Sequence, residues 1–394
     1  MGQHEFVPQI PYGTRDFLPK EASRKRAVEG ALAHLFDSWG YDEVVTPTME
    51  YLETLAVGAG NDLDQHMFKF FDKNNRILAL RPDMTTPMAR VAATRLKESL
   101  APIKLFYLTN VFRYEQAQTG RQCEFYQAGV ELMGAAGPTA DAEVIALAVE
   151  SMLKSGLKQF QIGLGQVDFI NGVMAQSGLS QEQQYQVKNA MLTRNLVGVD
   201  EILVSSSLSK EEQKVLKQIP LLHGKQDMLK QAYGMVANEM SHKALDNLAE
   251  IYRLLEIYGV AQYVDFDLGI IRDFDYYTGM VFEGYTPGLG FPICGGGRYD
   301  TMLSSFGMDC CATGFALGIE RILLALERQG IVSMPGAKDV YIGWGTDKLF
   351  AAIGQGEKLR TAGQRVEIGL VAQTQAEAEV SQKSKGYGQL LYME

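Results

Sequence analysis

Long apolar runs are missing from this 394-residue chain. No stretch approaches the roughly 18 uninterrupted apolar residues that a membrane-spanning helix needs. The N-terminal residues also lack the apolar segment of a secretory signal peptide. The sequence therefore predicts a cytoplasmic protein rather than a secreted or membrane-spanning one.

Cysteine and histidine are both scarce. The chain has four cysteines and five histidines, without a CxxC pair and without histidines at metal-ligand spacing. We therefore expect no metal site, no cofactor that cysteines would hold and no disulfide framework. The adjacent Cys310 and Cys311 are expected to pack as small apolar side chains at the start of a strand, with a redox pair as the alternative.

Basic residues are fewer than acidic residues, and the formal net charge at pH 7 is −10. Broad nucleic-acid binding needs clustered lysine and arginine, so this balance disfavours it, although a local basic patch can act on an acidic protein. The length exceeds that of one ordinary domain, and a hydrophobic fraction of 46% suffices for two or three cores. These numbers indicate a globular protein of more than one domain.

The first 330 residues are rich in strand and hairpin signals. Apolar residues at helical spacing predict a helix from Glu21 to Trp39, which Gly40 ends. Hairpins dominate the rest, so we expect an α+β fold with an antiparallel sheet flanked by helices. The predicted strands cover 43–46, 67–80 as a hairpin, 104–114, 124–133, 264–266, 276–285 and 314–318, and further helices cover 88–100, 140–155 and 319–329.

Two further regions differ from this core, which we place at residues 1–330. Between about residues 168 and 258 the chain consists of polar helical segments, with a short strand predicted at 202–204, and we interpret it as a helical insertion. The sequence SMPGAK is typical of a linker, which we place at 331–338. Residues 339–394 alternate between strands and helices, which predicts a small α/β domain with a largely parallel sheet.

The stretch VFRYEQAQTGRQCEF places Arg113, Glu115 and Arg121 around a Thr-Gly turn. Guanidinium groups can bind phosphate or carboxylate through two parallel hydrogen bonds, and a solvated surface turn is the alternative. On the returning strand Gln127 and Glu131 lie four residues apart, so both side chains project from one face. Because unpaired polar groups are costly to bury, these two side chains indicate either a polar ligand pocket or a buried structural network.

The stretch LRPDMTTPMAR ends a strand and opens a helix. Thr85 or Thr86, before Pro87, would be the N-cap of that helix. Asp83 could instead turn inward and accept a hydrogen bond from an ammonium group. The two interpretations stay open at this point.

Two later stretches also combine polar residues with glycine. RDFDYYTGMVFE places charged residues with Tyr276 and Tyr277 on a strand, and CGGGRYD follows it. Three consecutive glycines allow close approach of the backbone to a ligand, or a sharp turn. In ATGFALGIERILLAL, Arg321 is either a ligand-binding group or a surface charge at a helix end.

Taken in order, these stretches resemble the core of the class II aminoacyl-tRNA synthetases, specifically that of histidyl-tRNA synthetase. TPTME resembles the dimer-interface motif 1, FRYEQAQTGRQCEFYQAGVE motif 2, and GFALGIERI motif 3. RDFDYYTGMVFE and GGGRYD resemble the two histidine-specific motifs. The similarity runs from YGTRDFLP to Leu326 and implies the class II synthetase fold, with self-association as a dimer through the motif 1 region.

The resemblance also implies roles for individual residues. The amino group of a bound amino acid would be held by Asp83, Thr85 and Gln127. Its imidazole would be read by Glu131 and Tyr277, an acceptor and a donor for a ring with two nitrogens. The implied histidine-binding set is Asp83, Thr85, Arg113, Gln127, Glu131, Arg272, Tyr276 and Tyr277. The implied remnant of the nucleotide site is Arg113, Glu115, Arg121 and Arg321.

The chain departs from the synthetase pattern at several of these positions. Synthetases have arginine where this chain has Gln116 and Cys123, so two positive charges near the phosphates and the tRNA acceptor end are missing. The usual glycine after Arg272 is Asp273, whose carboxylate would neutralise part of the field that a transition state needs. The glutamate of the LRPE motif is Asp83, which is shorter by one methylene.

With these departures the chain resembles the non-catalytic paralogue of histidyl-tRNA synthetase, the regulatory subunit of ATP phosphoribosyltransferase. LRPDMT and RDFDYYTG are typical of that family. The segment after the linker is also shorter than an anticodon-binding domain, so tRNA is not an expected partner. The resemblance implies a short-form catalytic subunit as partner, which joins ATP to phosphoribosyl pyrophosphate in the first step of histidine biosynthesis, and histidine as a feedback ligand.

Two enzymatic alternatives stay open at this stage. The chain could be a divergent, active histidyl-tRNA synthetase. It could also be a synthetase-like enzyme that activates histidine for another acceptor. Histidine-dependent exchange of pyrophosphate into ATP would separate both alternatives from a regulatory subunit.

Overall fold

The computed structural model describes residues 8–57, 66–114, 122–193, 195–270, 276–331 and 338–394. The chain divides into two compact units, one of Met1–Leu18 with Lys25–Val332 and one of Pro19–Arg24 with Ser333–Glu394. The helices of the described residues are α1 (Pro19–Ser38), α2 (Leu52–Leu55), α3 (Thr85–Arg95), α4 (Pro138–Lys154), α5 (Val167–Gln176), α6 (Gln181–Leu192), α7 (Leu196–Val204), α8 (Lys210–Gln218), α9 (Gln226–Met235), α10 (Glu239–Ile257), α11 (Ile319–Arg328), α12 (Leu349–Thr361) and α13 (Gln375–Lys385). The strands are β1 (Asp42–Glu43), β2 (Met49–Tyr51), β3 (Lys69–Phe71), β4 (Ile77–Leu80), β5 (Ile103–Phe112), β6 (Glu124–Met133), β7 (Gln161–Gln166), β8 (His223–Gly224), β9 (Val264–Asp267), β10 (Met280–Tyr285), β11 (Cys294–Arg298), β12 (Ala312–Gly318), β13 (Lys338–Trp344), β14 (Val366–Ile368) and β15 (Tyr387–Met393).

The first unit is built on a nine-stranded sheet in the order β1-β5-β6-β12-β11-β10-β7-β9-β8. Only the β1–β5 and β7–β9 pairs are parallel, which confirms the predicted, mostly antiparallel sheet. The longest hairpin joins β5 and β6, whose register runs from Ile103 opposite Met133 to Phe112 opposite Glu124. A smaller sheet, β2-β4-β3, contains the hairpin predicted at 67–80.

The two faces of the large sheet differ in what covers them. On one face α4 packs against β6, β11 and β12, and Phe36 of α1 contacts the rings of Phe106 and Phe315 at centroid distances of 5.5 and 6.1 Å. On the other face a second apolar cluster combines Met88 of α3 with Tyr107. Strand alternation separates the two sets, since neighbouring residues of a strand point to opposite faces.

Helices α5 to α10 occupy the region between Val167 and Ile257. The strand predicted at 202–204 is wrong, because those residues belong to α7. Asn195 accepts a hydrogen bond from the backbone amide of Gly198 as the N-cap of this helix, and Val199 and Leu203 are buried one turn apart. Capping and burial of one helical face thus outweigh the strand preference of Ile202 and Val204.

Two predicted strands are shorter in the structure. The strand expected at 43–46 forms only over Asp42–Glu43. The strand expected at 276–285 begins at Met280, so Tyr276 and Tyr277 precede it. The backbone amide of Thr278 donates to the carbonyl of Arg298 just before β10 begins, and both tyrosines turn toward the face of the sheet that carries α3.

The second unit contains a three-stranded sheet in the order β14-β13-β15 with parallel pairing throughout, as predicted. Val340, Ile342 and Trp344 form its core with Ala352 of α12. Most of the predicted linker at 331–338 lies outside the described residues. Within the ranges described, the structure contains no helix that is both long enough and apolar enough to cross a membrane.

Candidate ligand-binding site

A cleft with about 440 Å³ of empty space opens on the face of the large sheet that carries α3. Its lining comes from the segment before α3, from β5, β6, β11 and β12, and from the segment before β10. The lining residues are Asp83, Met84, Thr85, Tyr107, Arg113, Gln127, Glu131, Tyr276, Tyr277, Gly295, Tyr299, Gly314, Phe315 and Ala316.

Two paired glycines on neighbouring strands, Gly314 and Gly297, form part of the floor of the cleft, and we call them the glycine lane. Gly314 of β12 pairs with Glu131 of β6 on one side and with Gly297 of β11 on the other. A Cβ atom on Gly314 would lie 2.0 Å from Oε2 of Glu131, and one on Gly297 would lie 2.7 Å from the ring of Tyr277. The missing side chains thus make room for Glu131 and Tyr277 to lie over the sheet. The glycines of CGGGRYD therefore lie in a regular strand, where they leave space for neighbouring side chains.

Glu131 is a buried carboxyl group, only 2% exposed. Burial raises its pKa to about 8, because the charged form loses its hydration. Hydrogen bonds from Tyr299 and Thr85 oppose this rise, and the neighbouring Asp83 adds to it. Glu131 therefore holds its proton to a much higher pH than an exposed glutamate, unless a ligand supplies a compensating charge or donor.

Asp83 is the second buried carboxyl group of the cleft. Burial raises its pKa, while the positive charge of Arg113 and the backbone amides of Thr86 and Thr85 lower it. Its Oδ1 accepts from the Thr86 amide at 3.4 Å. The predicted capping role of Thr85 or Thr86 is wrong, since α3 begins at Thr85 and Met84, whose side chain makes no capping hydrogen bond, lies at the cap position.

Gln127 and Arg113 complete the polar lining near Asp83. Oε1 of Gln127 is buried and has no hydrogen-bond partner among the described residues. A buried acceptor without a donor is costly, so this atom points to a donor that a ligand would bring. Nε of Arg113 donates to the carbonyl of Pro82 at 2.9 Å, and its guanidinium lies 5.5 Å from the ring centroid of Phe125.

Four tyrosines surround the Glu131 end of the cleft. The rings of Tyr276 and Tyr277 lie 4.7 Å apart, and those of Tyr276 and Tyr299 lie 5.8 Å apart in a T-shaped contact. Tyr107 lies beneath them, with its hydroxyl 2.4 Å from where Gly129 would carry a Cβ. Sequence reasoning did not select Tyr107 or Tyr299 as site residues. The sequence did contain a signal for each: alternation along β5 for Tyr107, and the motif GGGRYD, which includes Tyr299.

Other residues of the predicted site lie elsewhere or outside the description. Arg321 of α11 does not line the cleft; its Nη1 donates to the carbonyl of Pro292 at 2.7 Å, and its guanidinium lies 5.1 Å from the ring centroid of Phe291. Glu115, Arg121 and Arg272 lie outside the described residues, together with Gln116 and Asp273.

Cys123 is buried at the base of the motif 2 hairpin. Its amide donates to the carbonyl of Gly13 at 2.7 Å, and a Cβ on Gly13 would lie 2.3 Å from its sulfur. The small thiol therefore packs closely against the N-terminal turn. In the part of the chain that the structure describes, no group of three or more histidine, cysteine or acidic side chains could hold a metal ion.

The cleft thus combines two buried carboxyl groups, one guanidinium, an orphaned amide oxygen and several phenols. Carboxylates and the amide oxygen accept hydrogen bonds from an ammonium group, a guanidinium can bind a carboxylate, and a carboxyl–phenol pair can bind a ring that carries both donor and acceptor nitrogens. This set suits a small zwitterion with a polar ring.

Comparison with known proteins agrees with the fold and the motifs. The sequence profile of the histidyl-tRNA synthetase family matches residues 13–322. A protein of Desulforamulus reducens named ATP phosphoribosyltransferase regulatory subunit is 44% identical over 97% of this chain and 95% of its own length. A protein of Moorella thermoacetica with the same name is 42% identical over 96% of each chain.

One solved structure supports the same assignment, and a second supports the fold. A Bacillus halodurans protein described as an ATP phosphoribosyltransferase regulatory subunit/histidyl-tRNA synthetase superposes with a TM-score of 0.89 at 35% identity, over 100% of both chains. The histidyl-tRNA synthetase of Nostoc sp. PCC 7120 shares the fold, with a TM-score of 0.83 at 20% identity over 97% of this chain and 90% of its own. The chain therefore belongs to the ATP phosphoribosyltransferase regulatory subunits, non-catalytic proteins with the core fold of histidyl-tRNA synthetase.

Proposed function

We propose that this regulatory subunit binds free histidine in the cleft and that bound histidine lowers the activity of a short-form catalytic subunit. The observation that carries the proposal is that Glu131 and Tyr277 lie over the neighbouring glycines Gly314 and Gly297. An imidazole between them would have an acceptor or donor for each ring nitrogen. Because Glu131 is deeply buried, a ligand without a matching polar ring would leave unused the hydrogen-bonding capacity that Tyr299 and Thr85 do not fill.

The other end of the cleft supports recognition of the amino acid backbone. A histidine ammonium group would donate to Asp83 and to the unpartnered Oε1 of Gln127. Its positive charge would favour the ionised form of Asp83, whose pKa burial otherwise raises. The guanidinium of Arg113 would bind the carboxylate of the ligand. These residues recognise an α-amino acid, and Glu131 with Tyr277 selects its side chain.

Feedback needs more than binding. Histidine must bind the inactive state of the complex more tightly than the active state, and by linkage the catalytic subunit then changes the affinity for histidine. We propose that the catalytic partner joins ATP and phosphoribosyl pyrophosphate, the first step of histidine biosynthesis. These are substrates of the cytoplasm, where we place the complex.

We also propose that two copies of the chain associate through the motif 1 region. Large apolar side chains are exposed in and beside the β2-β4-β3 sheet, including Val45, Met49, Phe71 and Ile77. Monomeric proteins rarely expose several such side chains on one small sheet. A dimer would cover them.

The test combines calorimetry with an activity assay. We expect L-histidine to bind the purified chain, and Glu131→Gln to weaken binding by about 10- to 100-fold, since one buried hydrogen-bonded partner is lost. Glu250→Gln, at a half-buried position of α10 that does not line the cleft, should bind as the wild type does. With a short-form catalytic subunit, the wild-type chain should permit ATP phosphoribosyltransferase activity that histidine inhibits.

Two results would contradict the proposal. One is the absence of any effect of the chain on the activity of the catalytic subunit. The other is robust histidine-dependent exchange of pyrophosphate into ATP by the chain alone, because that reaction belongs to a synthetase.

A further inference from the structure

Glu131 and Tyr299 meet although their strands are not neighbours. Glu131 lies on β6 and Tyr299 directly follows β11, with β12 between them. They meet over Gly314, where a Cβ would lie 2.0 Å from Oε2 of Glu131. The Tyr299 hydroxyl donates to this same Oε2. Three strands of the sheet are therefore required to build one hydrogen bond.

Tyr299 has little freedom to make any other contact. It is 2% exposed and packs in the apolar cluster of the ligand face with Met88, Tyr107 and Leu303. The ring of Tyr276 contacts it edge to face at 5.8 Å. A buried phenol of this kind needs a hydrogen-bond partner, and Glu131 is the partner that the fold supplies.

We infer that Tyr299 is the positioning residue of the site: its hydroxyl holds one carboxyl oxygen of Glu131, so that the other oxygen faces the ring of the ligand. A carboxylate has about four acceptor positions. Tyr299 and Thr85 use part of that capacity from the protein side. The remaining acceptor positions of Glu131 are directed into the cleft. This inference rests on the proposed binding of histidine and names the residue that sets its orientation.

Selectivity follows from this arrangement. A carboxyl group that rotated freely would accept hydrogen bonds from donors in many directions. With Oε2 held, the group meets only a donor placed over the glycine lane, where Tyr277 limits the space. A flat ring with a nitrogen at its edge fits this space, whereas a branched apolar side chain would leave Glu131 unsatisfied.

The hydroxyl of Tyr299 also affects the charge state of Glu131. A donor to the carboxylate favours the ionised form, so it lowers a pKa that burial raises. Among the described residues, three other titratable groups interact electrostatically with Glu131: Asp83 before α3, Tyr107 on β5 and Tyr41 after α1. Around these and Tyr299 lie Arg113 after β5, and Tyr276 and Tyr277 before β10. Tyr299 differs from these groups because it donates directly to the carboxyl group.

The test uses Tyr299→Phe, with Tyr252→Phe as the matched control. Both remove the hydroxyl of a buried tyrosine, but Tyr252 packs in the helical core around α10. We expect Tyr299→Phe to weaken L-histidine binding about tenfold, as for one hydrogen bond to a charged or polar group. In the unliganded protein, carbon-13 NMR of labelled glutamate carboxyl groups should show the pKa of Glu131 raised further in Tyr299→Phe. The Glu131 signal is the one absent from Glu131→Gln.

Each outcome decides a separate point. An unchanged Glu131 titration in Tyr299→Phe would overturn the inference, as would equal losses of affinity in Tyr299→Phe and Tyr252→Phe, because a structural role alone would then suffice. Absence of histidine binding in the wild type would overturn the proposed function and, with it, the ligand-reading role. The titration would still report whether Tyr299 holds Glu131.

Discussion

Glu131 is a residue that the fold alone does not favour. A buried carboxyl group destabilises the folded state wherever it must ionise, and this one has a pKa of about 8. An apolar residue in its place would avoid that cost, although it would leave the buried hydroxyl of Tyr299 without its partner. Its presence is understandable if the site serves a polar ligand, because the ligand then adds a partner to those that Tyr299 and Thr85 already supply.

The pH dependence of stability offers a test at this residue. The pKa of Glu131 is about 8 in the folded state and 4.5 in the reference state. A raised pKa favours folding below the lower value, and that contribution is lost as pH rises through the higher one. Glu131→Gln has no such loss, so it should become more stable relative to the wild type between pH 5 and about pH 8.5, by up to ~4 kcal/mol.

Thermal unfolding of the unliganded proteins at several pH values measures this difference. Glu250→Gln, at a half-buried glutamate of α10 whose pKa is lowered by Arg253, serves as control and should differ from the wild type by a constant offset over this range. A difference between Glu131→Gln and the wild type that stays constant across the range would contradict the raised pKa.

At the scale of elements, the glycine lane shows how strand pairing creates a site. Residues from β6, β12 and β11 become neighbours only through the register of the sheet. In Gly314→Ala the new methyl group would displace Glu131, so we expect histidine affinity to fall by at least about tenfold. Gly290→Ala is the control, because a Cβ there meets nothing within 4 Å. Calorimetry measures both, and wild-type affinity in Gly314→Ala would contradict the role of the lane.

The N-cap of α10 is a second test at this scale. Oδ1 of Asn238 accepts from the backbone amide of Ser241 at 2.7 Å, and α10 packs on α4 and α5. Asn238→Ala should cost about 1 kcal/mol of stability. Asn247→Ala, in the interior of the same helix, should be neutral or slightly stabilising, since alanine has the higher helix propensity. Chemical denaturation measures both, and equal effects would exclude a capping contribution.

At the scale of the whole molecule, the proposed dimer is testable through its exposed apolar residues. Phe71 is 70% exposed on β3, and Phe350 is 90% exposed on α12 in the other unit. Phe71→Glu should shift the chain toward the monomer in sedimentation velocity, because a charge would be buried at the interface. Phe350→Glu should leave the mass unchanged. A dimer that persists in Phe71→Glu would argue against the motif 1 interface.

Much of this molecule was predictable from local patterns. Helix α1, the β5–β6 hairpin and the parallel sheet of the second unit each follow from periodicity within one short segment. The motifs also indicated Asp83, Gln127 and Glu131, since alternation along β6 puts Gln127 and Glu131 on one face. The strand predicted at 202–204 failed because burial and capping in α7 outweigh β propensity, and propensity is only a weak prior.

The sequence by itself determined the order of motifs, the family and the chemical types of residue at the site. Only the tertiary structure decided that Tyr107 and Tyr299 belong to that site, that Arg321 bonds to the Pro292 carbonyl, and that the glycines make room for side chains. The physical reason is that these relations depend on register between strands distant in sequence. Local periodicity fixes which face a residue occupies, but it carries no information on what lies opposite.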